Sequence, residues 1–541
     1  MAAPQPAAST GARKASWMQA LSWLILLAAL HQVFVFLSVT LASRDVDLWF
    51  FFSSDTVQYG LLYKDLFELG FHYAGWNISH APEYLQMVWA LLLRALTPSL
   101  AAGHVLEAML QPLLLAAALH RLFSRALGRA TSLAPLTVAL ILTLIARGIG
   151  LDLIGFIWSN RHGFTALIGV LALSYVLEDT SSKHRSLVLL GCLVSLGVAS
   201  DLLFVVWFVV PAIPAIVIGH GPFGRAPAVK ASAAIVSGTA LGLLLFWIAT
   251  PVITVGDKVV IDLGRTMGAL GRMADDASAP SIPQLILNAL VLSGFLISAL
   301  SIFRTRRIEI RILGFYGIFL PLATICAMAL TSVPFREAGY TRYLLGPELA
   351  AVAAVLMGLS AAFTRFGEKP ALIILAISLL WGYKARPDDV APASSFDPPL
   401  ARCVDAVARK HGLQYGIADY WLAKYLTAFS SQDLSIVPVT PRLDPYVSFA
   451  NIEWFLGGVG ARRHDRPVYT FAILGSQTPD GPGVSPDALK AFGPPVAVES
   501  CFGFSIQVLP AGSDRRIRAQ FAQNPRVRAY YARRGLSLPL P

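Results

Sequence analysis

SRDVDLWFFFSSDTVQYGLLYKDLFELGFHYAGWNISHAP, residues 43–82, is a polar and aromatic stretch that directly follows a long apolar segment of this 541-residue chain. Its ionisable side chains include Asp45, Asp47, Asp55, Lys64, Asp65, His72 and His80. Charged groups beside a membrane are costly unless they take part in chemistry or bind an ion. The stretch therefore predicts a membrane protein whose functional site lies in this loop, just outside the bilayer.

The composition of the whole chain supports that class. Hydrophobic residues make up 55% of the sequence and charged residues only 14%, and the mean hydropathy is +0.61. Soluble domains carry roughly 25% charged residues, so the chain is predicted to be a polytopic α-helical membrane protein. The net charge of +11 comes from short basic clusters between apolar segments. This pattern is typical of topology signals and excludes a nucleic-acid-binding function.

The apolar segments predict about eleven transmembrane helices, since one crossing needs roughly 20 apolar residues. The predicted spans are 17–42, 99–123, 132–150, 162–178, 186–200, 202–219, 229–252, 283–303, 312–332, 342–363 and 370–385. The first segment is longer than the apolar core of a signal peptide, so it is predicted to be a retained helix. The segment 83–97 is apolar but too short to cross, which leaves its placement to the charge pattern.

The positive-inside rule places 83–97 in the membrane interface. With that placement all short basic connectors face the cytoplasm: Arg13/Lys14, Arg121/Arg125/Arg129, Lys183/Arg185, Arg225/Lys230, Arg304/Arg306/Arg307/Arg311 and Arg365/Lys369. If 83–97 crossed the membrane, the arginine-rich segment 304–311 would face outward. We therefore expect residues 1–16 to form a cytoplasmic tail, residues 17–385 a transmembrane domain, and 43–98 its first outside loop.

Residues 386–541 are richer in proline and charge and predict a small α/β domain outside the membrane. PVYTFAILG at 467–475 and VAVESCFGFSIQVLP at 496–510 indicate strands, and CVDAVARKHG at 403–412 and DALKAFG at 487–493 indicate helices. The arginine- and alanine-rich composition is typical of a bacterium, so this domain is expected in the periplasm and the chain in the inner membrane. Cys403 and Cys501 both lie in this domain and are candidates for a disulfide bond.

A transferase at the periplasmic face of the inner membrane would use a lipid-linked sugar donor, because nucleotides are absent on that side. Transfer needs a carboxylate to deprotonate the acceptor hydroxyl or hold a metal ion, and cations to bind the departing phosphate. The loop supplies the acids, and nearby basic residues supply the cations. This chemistry predicts a polyprenyl-phosphate sugar donor and an acceptor that is a lipid, a glycan or a protein.

The chain resembles the GT-C class of membrane glycosyltransferases, which includes protein O-mannosyltransferases and aminoarabinose transferases. The resemblance rests on Ser54-Asp55-Thr56, the amphipathic run 59–67, Gly70, Ala81-Pro82-Glu83 and the late motif Tyr340-Thr341-Arg342-Tyr343-Leu344-Leu345-Gly346-Pro347. It implies a catalytic acid early in the first outside loop, followed by juxtamembrane helices. At the position of the family's Asp-Glu pair this chain has Asp55-Thr56, and the need for a divalent metal stays open.

Asp55 is the predicted general base or metal ligand, although it also stands where a helix N-cap is expected. The other candidate acids are Asp45, Asp47 and Glu83, and each has an alternative structural role at the membrane boundary or in a helix first turn. The predicted phosphate-binding residues are Arg342, Lys64 and Arg161. Possible donor or acceptor contacts are His72, His80 and Tyr343, and Asp201 is expected to cap the helix that follows it.

Two other functions stay open from the sequence. A transporter or flippase of lipid-linked intermediates would have charged residues buried in the middle of its spans. The middle regions of the predicted spans are nearly free of ionisable residues and the charges gather at the outer ends, which favours chemistry at the membrane surface over transport. The third interpretation is a non-catalytic membrane scaffold that presents the domain 386–541.

Overall fold

The structure, a computed structural model, is a mostly helical membrane protein with a small sheet near the C-terminus. It describes residues 9–42, 54–77, 83–128, 132–146, 162–178, 184–221, 225–249, 261–278, 282–331, 343–362, 398–457, 466–475 and 483–538. The helices of the membrane part are α1 Ser9–Ala42, α2 Ser54–Tyr63, α3 Tyr84–Ala95, α4 Leu100–Leu127, α5 Leu133–Ala146, α6 Gly163–Val176, α7 His184–Ser200, α8 Val210–His220, α9 Arg225–Ala249, α10 Thr266–Ser278, α11 Ile282–Arg304, α12 Ile308–Leu330 and α13 Leu345–Ala362.

Within the described ranges, five helical segments are long and apolar enough to cross a membrane: Trp17–Val35, Leu100–Leu127, Arg225–Ala249, Leu285–Arg304 and Ile308–Leu330. Shorter apolar helices coincide with the predicted spans 132–150, 162–178, 186–200, 202–219 and 342–363. The predicted span 370–385 lies outside the described residues. The class of helical membrane protein is thus confirmed, and the number of eleven crossings stays a prediction.

Helices α7 and α9 pack closely because glycines line their contact. A Cβ atom on Gly238 would lie 2.5 Å from the carbonyl oxygen of Gly191, and one on Gly242 would lie 2.7 Å from that of Ser195. Gly238 and Gly242 are four residues apart, so they occupy the same side of α9. Such small-residue spacing lets membrane helices approach backbone to backbone.

One end of the helical bundle carries paired arginines. Arg121 and Arg125 bind Glu178 at 3.4 and 2.9 Å, and Arg307 donates to the carbonyl oxygen of Leu127 at 2.9 Å. These arginines belong to connectors that the charge pattern assigns to the cytoplasm. The packing therefore gathers residues of three separate basic connectors at the same end of the bundle.

Helix α3 lies across the opposite end of the bundle. The 28-residue helix α4 runs from this end to the end that carries the arginines. Near its start, Glu83 accepts a hydrogen bond from Tyr59 of α2 at 3.4 Å; near its end, Arg94 pairs with Glu68 at 3.3 Å. Both ends of α3 thus contact the same loop segment. Its 12 residues span about 18 Å, well short of a hydrocarbon core of about 30 Å. Its exposed apolar side consists of Val88, Leu92 and Leu96, as expected for a helix in the membrane interface.

Helix α2 continues as a π-helix, Lys64–Leu69, and a short 3₁₀ turn, Tyr73–Gly75. A Cβ atom on Gly60 would meet the side chain of Leu100 at 2.2 Å, so this glycine permits the close approach of α2 to the start of α4. The other side of α2 packs against the C-terminal domain. The described part of the first loop is therefore held between the bundle and that domain.

The C-terminal domain is an α/β unit, as the sequence predicts. Its elements are α14 Pro399–His411, β1 Tyr415–Ala418, α15 Tyr420–Phe429, β2 Ser435–Pro438, α16 Glu453–Leu456, β3 Tyr469–Leu474, α17 Pro486–Lys490, β4 Ala497–Cys501, β5 Phe504–Val508, α18 Ser513–Gln523 and α19 Pro525–Arg533. The strand order is β2-β1-β3-β5-β4, with β1 parallel to β2 and β3, and β5 antiparallel to β3 and β4. The apolar run 496–510 forms a hairpin that turns at Phe502-Gly503 rather than one strand.

A disulfide bond joins Cys403 of α14 to Cys501 at the end of β4. The sequence singled out this pair. The bond closes a chain segment of 98 residues and ties the first helix of the domain to its edge strand. Cross-links over long segments stabilise a fold chiefly by restricting the unfolded chain.

Candidate functional site

A buried cluster of two acids and one histidine lies at the end of the bundle crossed by α3. Glu83 directly precedes α3, His162 directly precedes α6, and Asp201 directly follows α7. We call these three residues the acid–histidine cluster. Their exposed fractions are 3%, 8% and 1%, so all three are shielded from solvent.

His162 is the centre of this cluster. Its Nδ1 lies 2.7 Å from Asp201 Oδ2 and 3.2 Å from Glu83 Oε1, and its backbone N–H donates to Glu83 Oε1 at 3.3 Å. The backbone N–H of Glu83 donates in turn to the Ser200 carbonyl oxygen at 2.7 Å. Contacts through both side chain and backbone therefore fix the three residues relative to one another.

Asp201 uses its two carboxylate oxygens differently. Oδ1 accepts from the backbone N–H of Leu203 at 2.9 Å, which is the capping role expected from the sequence. Oδ2 accepts from the Thr165 hydroxyl at 2.6 Å and contacts His162. Burial alone would raise the pKa of Asp201, but the attraction of His162 and these hydrogen bonds outweigh burial and lower it. Asp201 is thus held as a carboxylate inside the protein.

Glu83 and His162 both adopt left-handed backbone conformations, with φ of 46° and 62°. Residues other than glycine rarely do so, because the Cβ atom crowds the backbone. Such conformations cost of order 1–3 kcal/mol and persist where surrounding contacts hold them, often at functional sites. Two of the three cluster residues carry this strain, which points to a function beyond packing.

Aromatic side chains form one wall of the cluster. The His162 ring lies 6.0 Å from that of Trp207 and 5.7 Å from that of Tyr343. The indole N–H of Trp207 donates to the Tyr343 carbonyl oxygen at 3.1 Å, and Tyr316 donates to the Trp207 carbonyl oxygen at 2.6 Å. Tyr343, predicted as a contact residue, is therefore beside the cluster.

A narrow apolar cavity of about 90 Å³ opens beside this wall. Thr165 and Trp207 line the end nearest the cluster, and Leu173 lies deeper in the bundle. The eight residues from Thr165 to Leu173 cover about 12 Å along α6. The cavity thus lies beside Thr165, which contacts Asp201, and extends along α6 into the membrane part of the protein.

The cluster offers the ligand atoms of a divalent cation site. One nitrogen and two carboxylate oxygens, from His162, Glu83 and Asp201, all lie within 4.8 Å of one another. Imidazole and carboxylate groups together suit Zn²⁺ and related first-row metals.

A second group of buried polar residues lies next to the cluster and was missed in the sequence. Glu107 of α4 contacts Gln86 at 3.4 Å and His104 at 3.8 Å. Tyr59, which binds Glu83, lies within the electrostatic influence of Glu107. His104 and Glu107 lie near the start of the predicted span 99–123 rather than in its middle, and neither was singled out from the sequence. The signal was present, because residues 104, 107 and 111 share one side of a helix and all three are polar.

The structure places the predicted residues of the first loop in different surroundings. The backbone of Asp55 lies in the first turn of α2. Lys64, predicted to bind phosphate, instead pairs with Asp433 of the C-terminal domain at 3.4 Å. His72 likewise faces this domain, with its ring 3.1 Å from Glu453. Glu83 and Tyr343 are the predicted site residues that the described chain brings to the cluster.

Five predicted site residues lie outside the described ranges: Asp45, Asp47, His80, Arg161 and Arg342. Arg161 and Arg342 each directly precede a residue beside the cluster, His162 and Tyr343. Both arginines stay phosphate-binding predictions from the sequence.

The first loop and the C-terminal domain meet in a buried polar junction. Asp65 Oδ2 accepts from Asn451 Nδ2 and from the indole N–H of Trp454, both at 2.9 Å. Trp76 forms a β-bridge with Asn451. Burial raises the pKa of Asp65 to about 8, although these two donors act to lower it. The domain is therefore joined to the loop by specific contacts rather than attached only through the chain.

No protein-family model and no curated protein matches this chain. The support for a function therefore comes from the geometry of the site.

Proposed function

We propose that this chain is a membrane glycosyltransferase of the GT-C type. It moves a sugar from a polyprenyl-phosphate donor to a lipid, glycan or protein acceptor at the periplasmic face of the bacterial inner membrane. The acid–histidine cluster beside an apolar cavity is the observation that carries the proposal. It places polar groups beside apolar space in the membrane part of the protein, and it lies at the end opposite the paired arginines.

In the proposed reaction the acceptor oxygen forms a bond to the anomeric carbon of the donor sugar. The bond from that carbon to the phosphate oxygen breaks, and polyprenyl phosphate leaves with the electron pair. A carboxylate takes the acceptor proton, and Asp55 is the candidate for this base. Arg161 and Arg342 are the proposed ligands of the leaving phosphate, since guanidinium groups match phosphate oxygens.

Glu83, His162 and Asp201 would hold a divalent cation in this reaction. When bound, such an ion neutralises the charge that develops on the leaving phosphate. The cluster residues bring the ligand atoms together, and Thr165 and Leu203 orient Asp201. Trp207 and Tyr343 cover the cluster on one side and exclude water from it.

The test incubates purified full-length protein with an extract of the membranes and periplasm of a strain that lacks it, which supplies lipid, glycan and protein acceptors. The transferase is expected to convert a sugar-carrying polyprenyl phosphate in the extract to free polyprenyl phosphate, as read by mass spectrometry. An Asp55→Asn variant that stays folded is expected to lose turnover, and full activity would remove Asp55 as the base. Unchanged lipid masses with wild-type protein would refute the transferase function.

A transporter of lipid-linked intermediates is the second candidate, because His104 and Glu107 are buried within α4. Ionisable residues at such positions often belong to ion or substrate pathways. In proteoliposomes a transporter would move the labelled lipid to the other leaflet without changing its mass. The same mass measurement therefore separates the two functions.

A further inference from the structure

An open cleft of about 630 Å³ lies in the C-terminal domain, between α17, α18 and the turn after β2, residues 440–444. We call it the domain cleft. Its volume is within the range that is typical of small-molecule sites. Its lining combines apolar side chains, polar side chains and two arginines. The chemistry of this lining indicates the class of ligand that fits it.

The turn after β2 forms one wall of the domain cleft and has a fixed backbone. The Thr440 N–H donates to the Asp444 carbonyl oxygen at 2.8 Å, and the Leu443 N–H donates to that of Thr440 at 2.9 Å. From α18, Gln520 Nε2 donates to the Arg442 carbonyl oxygen at 2.8 Å. Leu443 has a φ of 65°, which is strained for a bulky residue and persists where surrounding contacts hold it. The turn therefore presents Arg442 from a rigid base.

Two arginines from different elements line the domain cleft, Arg442 of the turn and Arg516 of α18. Arg516 donates from Nη1 to the Ala491 carbonyl oxygen at 2.6 Å, which orients its guanidinium group and leaves further N–H donors for a ligand. The acid of the lining, Asp487, pairs with Lys490 at 2.7 Å. In the part of the chain that the structure describes, no carboxylate pairs with either arginine. The domain cleft thus offers two guanidinium groups to an anion.

The rest of the lining suits a compact ring that carries hydroxyl groups. Phe492 is half-buried and Leu443 is buried, so part of the wall is apolar. Ser485, Asp487 and Gln520 line the same cleft with hydroxyl, carboxylate and amide groups, which form hydrogen bonds with hydroxyls. A sugar ring has both an apolar face and a rim of hydroxyl groups. It therefore matches both kinds of wall.

We propose that the domain cleft binds a sugar that carries a phosphate or a carboxylate group. Arg442 and Arg516 bind the acidic group, because guanidinium nitrogens match the oxygens of phosphates and carboxylates in pairs. The ring packs on Phe492, and its hydroxyl groups contact Ser485 and Asp487. This inference does not depend on the transferase chemistry, and its test measures binding alone.

The test titrates purified full-length protein with three probes and follows binding by ligand-detected nuclear magnetic resonance. The probes are glucose phosphorylated on its primary hydroxyl, glucuronate and glucose. At least one acidic sugar is expected to bind at least about tenfold more tightly than glucose, because hydrogen bonds between ionised groups are the strong ones. The tighter of the two acidic probes shows whether the ligand is a phosphate or a carboxylate. Added salt is expected to weaken the binding.

Two variants locate the binding. Arg442→Ala is expected to weaken it about tenfold or more, since it removes a charged donor but keeps the backbone carbonyl that Gln520 binds. Ala488→Trp is expected to abolish it by filling the domain cleft. Arg409→Ala is the matched control, because Arg409 is an exposed arginine of α14 outside the lining, and it should bind as the wild type does. Melting curves establish that each variant is folded.

Several results would overturn the proposal. One is the absence of binding by either acidic sugar at millimolar concentration. A second is glucose that binds as tightly as both acidic sugars, which would leave the arginines without a role. A third is inorganic phosphate that binds as tightly as the sugar phosphate, which would make the domain cleft a site for a free anion. The last is wild-type affinity in a folded Arg442→Ala or Ala488→Trp variant, which would place the sugar elsewhere.

Discussion

Glu83, His162 and Asp201 show how a few side chains can be held at a membrane boundary. Each is the residue next to a helix end, where backbone groups lack partners within the helix. Asp201 supplies a cap with one oxygen and a cluster contact with the other. The same position therefore serves both the fold and the candidate chemistry, and the two roles can be separated by substitution.

Asp201→Asn is expected to keep the cap and lose the metal. An asparagine oxygen can still accept from Leu203, but the amide has no negative charge to offer a cation. We expect the divalent metal retained by purified protein, measured by elemental mass spectrometry after dialysis, to fall at least about tenfold.

Asp405→Asn is the matched control for this prediction. Asp405 is a buried aspartate of the C-terminal domain whose oxygens accept from Ser430 and Ser431. Its substitution is expected to lower stability and leave the metal content unchanged. Equal metal retention in the wild type and the Asp201→Asn variant would remove the cluster as the metal site.

The raised pKa of Asp65 predicts how the stability of the loop–domain junction depends on pH. Its pKa of about 8 in the folded protein exceeds the value of about 4 in an unfolded chain. Between these values the folded state binds the additional proton, so stability falls as the pH rises, by up to about 1.4 kcal/mol per pH unit. Below about pH 4 and above about pH 8 this contribution stops changing.

The melting temperature of full-length protein between about pH 5 and about pH 8 measures this effect. Asp65→Asn is expected to show a shallower decline than the wild type, because the amide does not titrate. Asp433→Asn removes the exposed ion pair with Lys64 at the same junction and is expected to keep the wild-type slope. Identical slopes for wild type and Asp65→Asn would contradict the assignment.

Among the helices, the contact between α7 and α9 has a direct effect on the candidate site. Asp201 follows the last residue of α7, so the position of this helix sets the position of one cluster side chain. The glycines at 191, 238 and 242 let the two backbones approach closely. A change in this contact is therefore expected to shift Asp201 relative to Glu83 and His162.

Gly238→Ala is expected to destabilise the protein by about 1–3 kcal/mol, because the new methyl group meets the backbone oxygen of Gly191. Gly271→Ala is the matched control, since Gly271 lies in α10 with open space around it. There the added methyl group should stabilise the helix by up to about 1 kcal/mol. Thermal melting in detergent compares the two, and a harmless Gly238→Ala would show that the helices pack less closely.

Across the protein as a whole, the C-terminal domain and the first loop act as joined parts. The domain contacts α2 on the side facing away from the bundle, while Tyr59 of the same helix binds Glu83 of the cluster. A shift of the domain would therefore move α2 and, through Tyr59, the cluster. The domain is therefore linked to the cluster through a single helix, α2.

The charge pattern predicts that the C-terminus lies outside the cell's inner membrane. Positively charged connectors stay in the cytoplasm because their transfer across the membrane is costly, and eleven crossings then place the domain outside. Alkaline phosphatase fused after residue 538 is expected to be active, and green fluorescent protein at the same position to be dark. The reverse result would show that one predicted span does not cross or that 83–97 does.

The sequence predicts the parts of this protein that depend on neighbouring residues. Apolar segments indicated the helices, alternation indicated β3 and the β4–β5 hairpin region, and cysteine placement singled out Cys403 and Cys501. Glu83 was among the candidate acids, but Asp201 was expected only as a cap, and His104 and Glu107 went unnoticed. Each of these misses concerns a residue whose role depends on partners from other helices.

The amino-acid sequence alone establishes the membrane class, most helices and the acidic loop of residues 43–82, because hydropathy and charge act locally along the chain. The assembly of the acid–histidine cluster comes only from the packing of helices, since its contacts join residues 79 and 39 positions apart. The docking of the loop on the C-terminal domain, through a hydrogen bond spanning 389 positions, has the same origin. Residues so far apart in the chain meet only when buried surfaces fit together, and no short stretch of sequence predicts that fit.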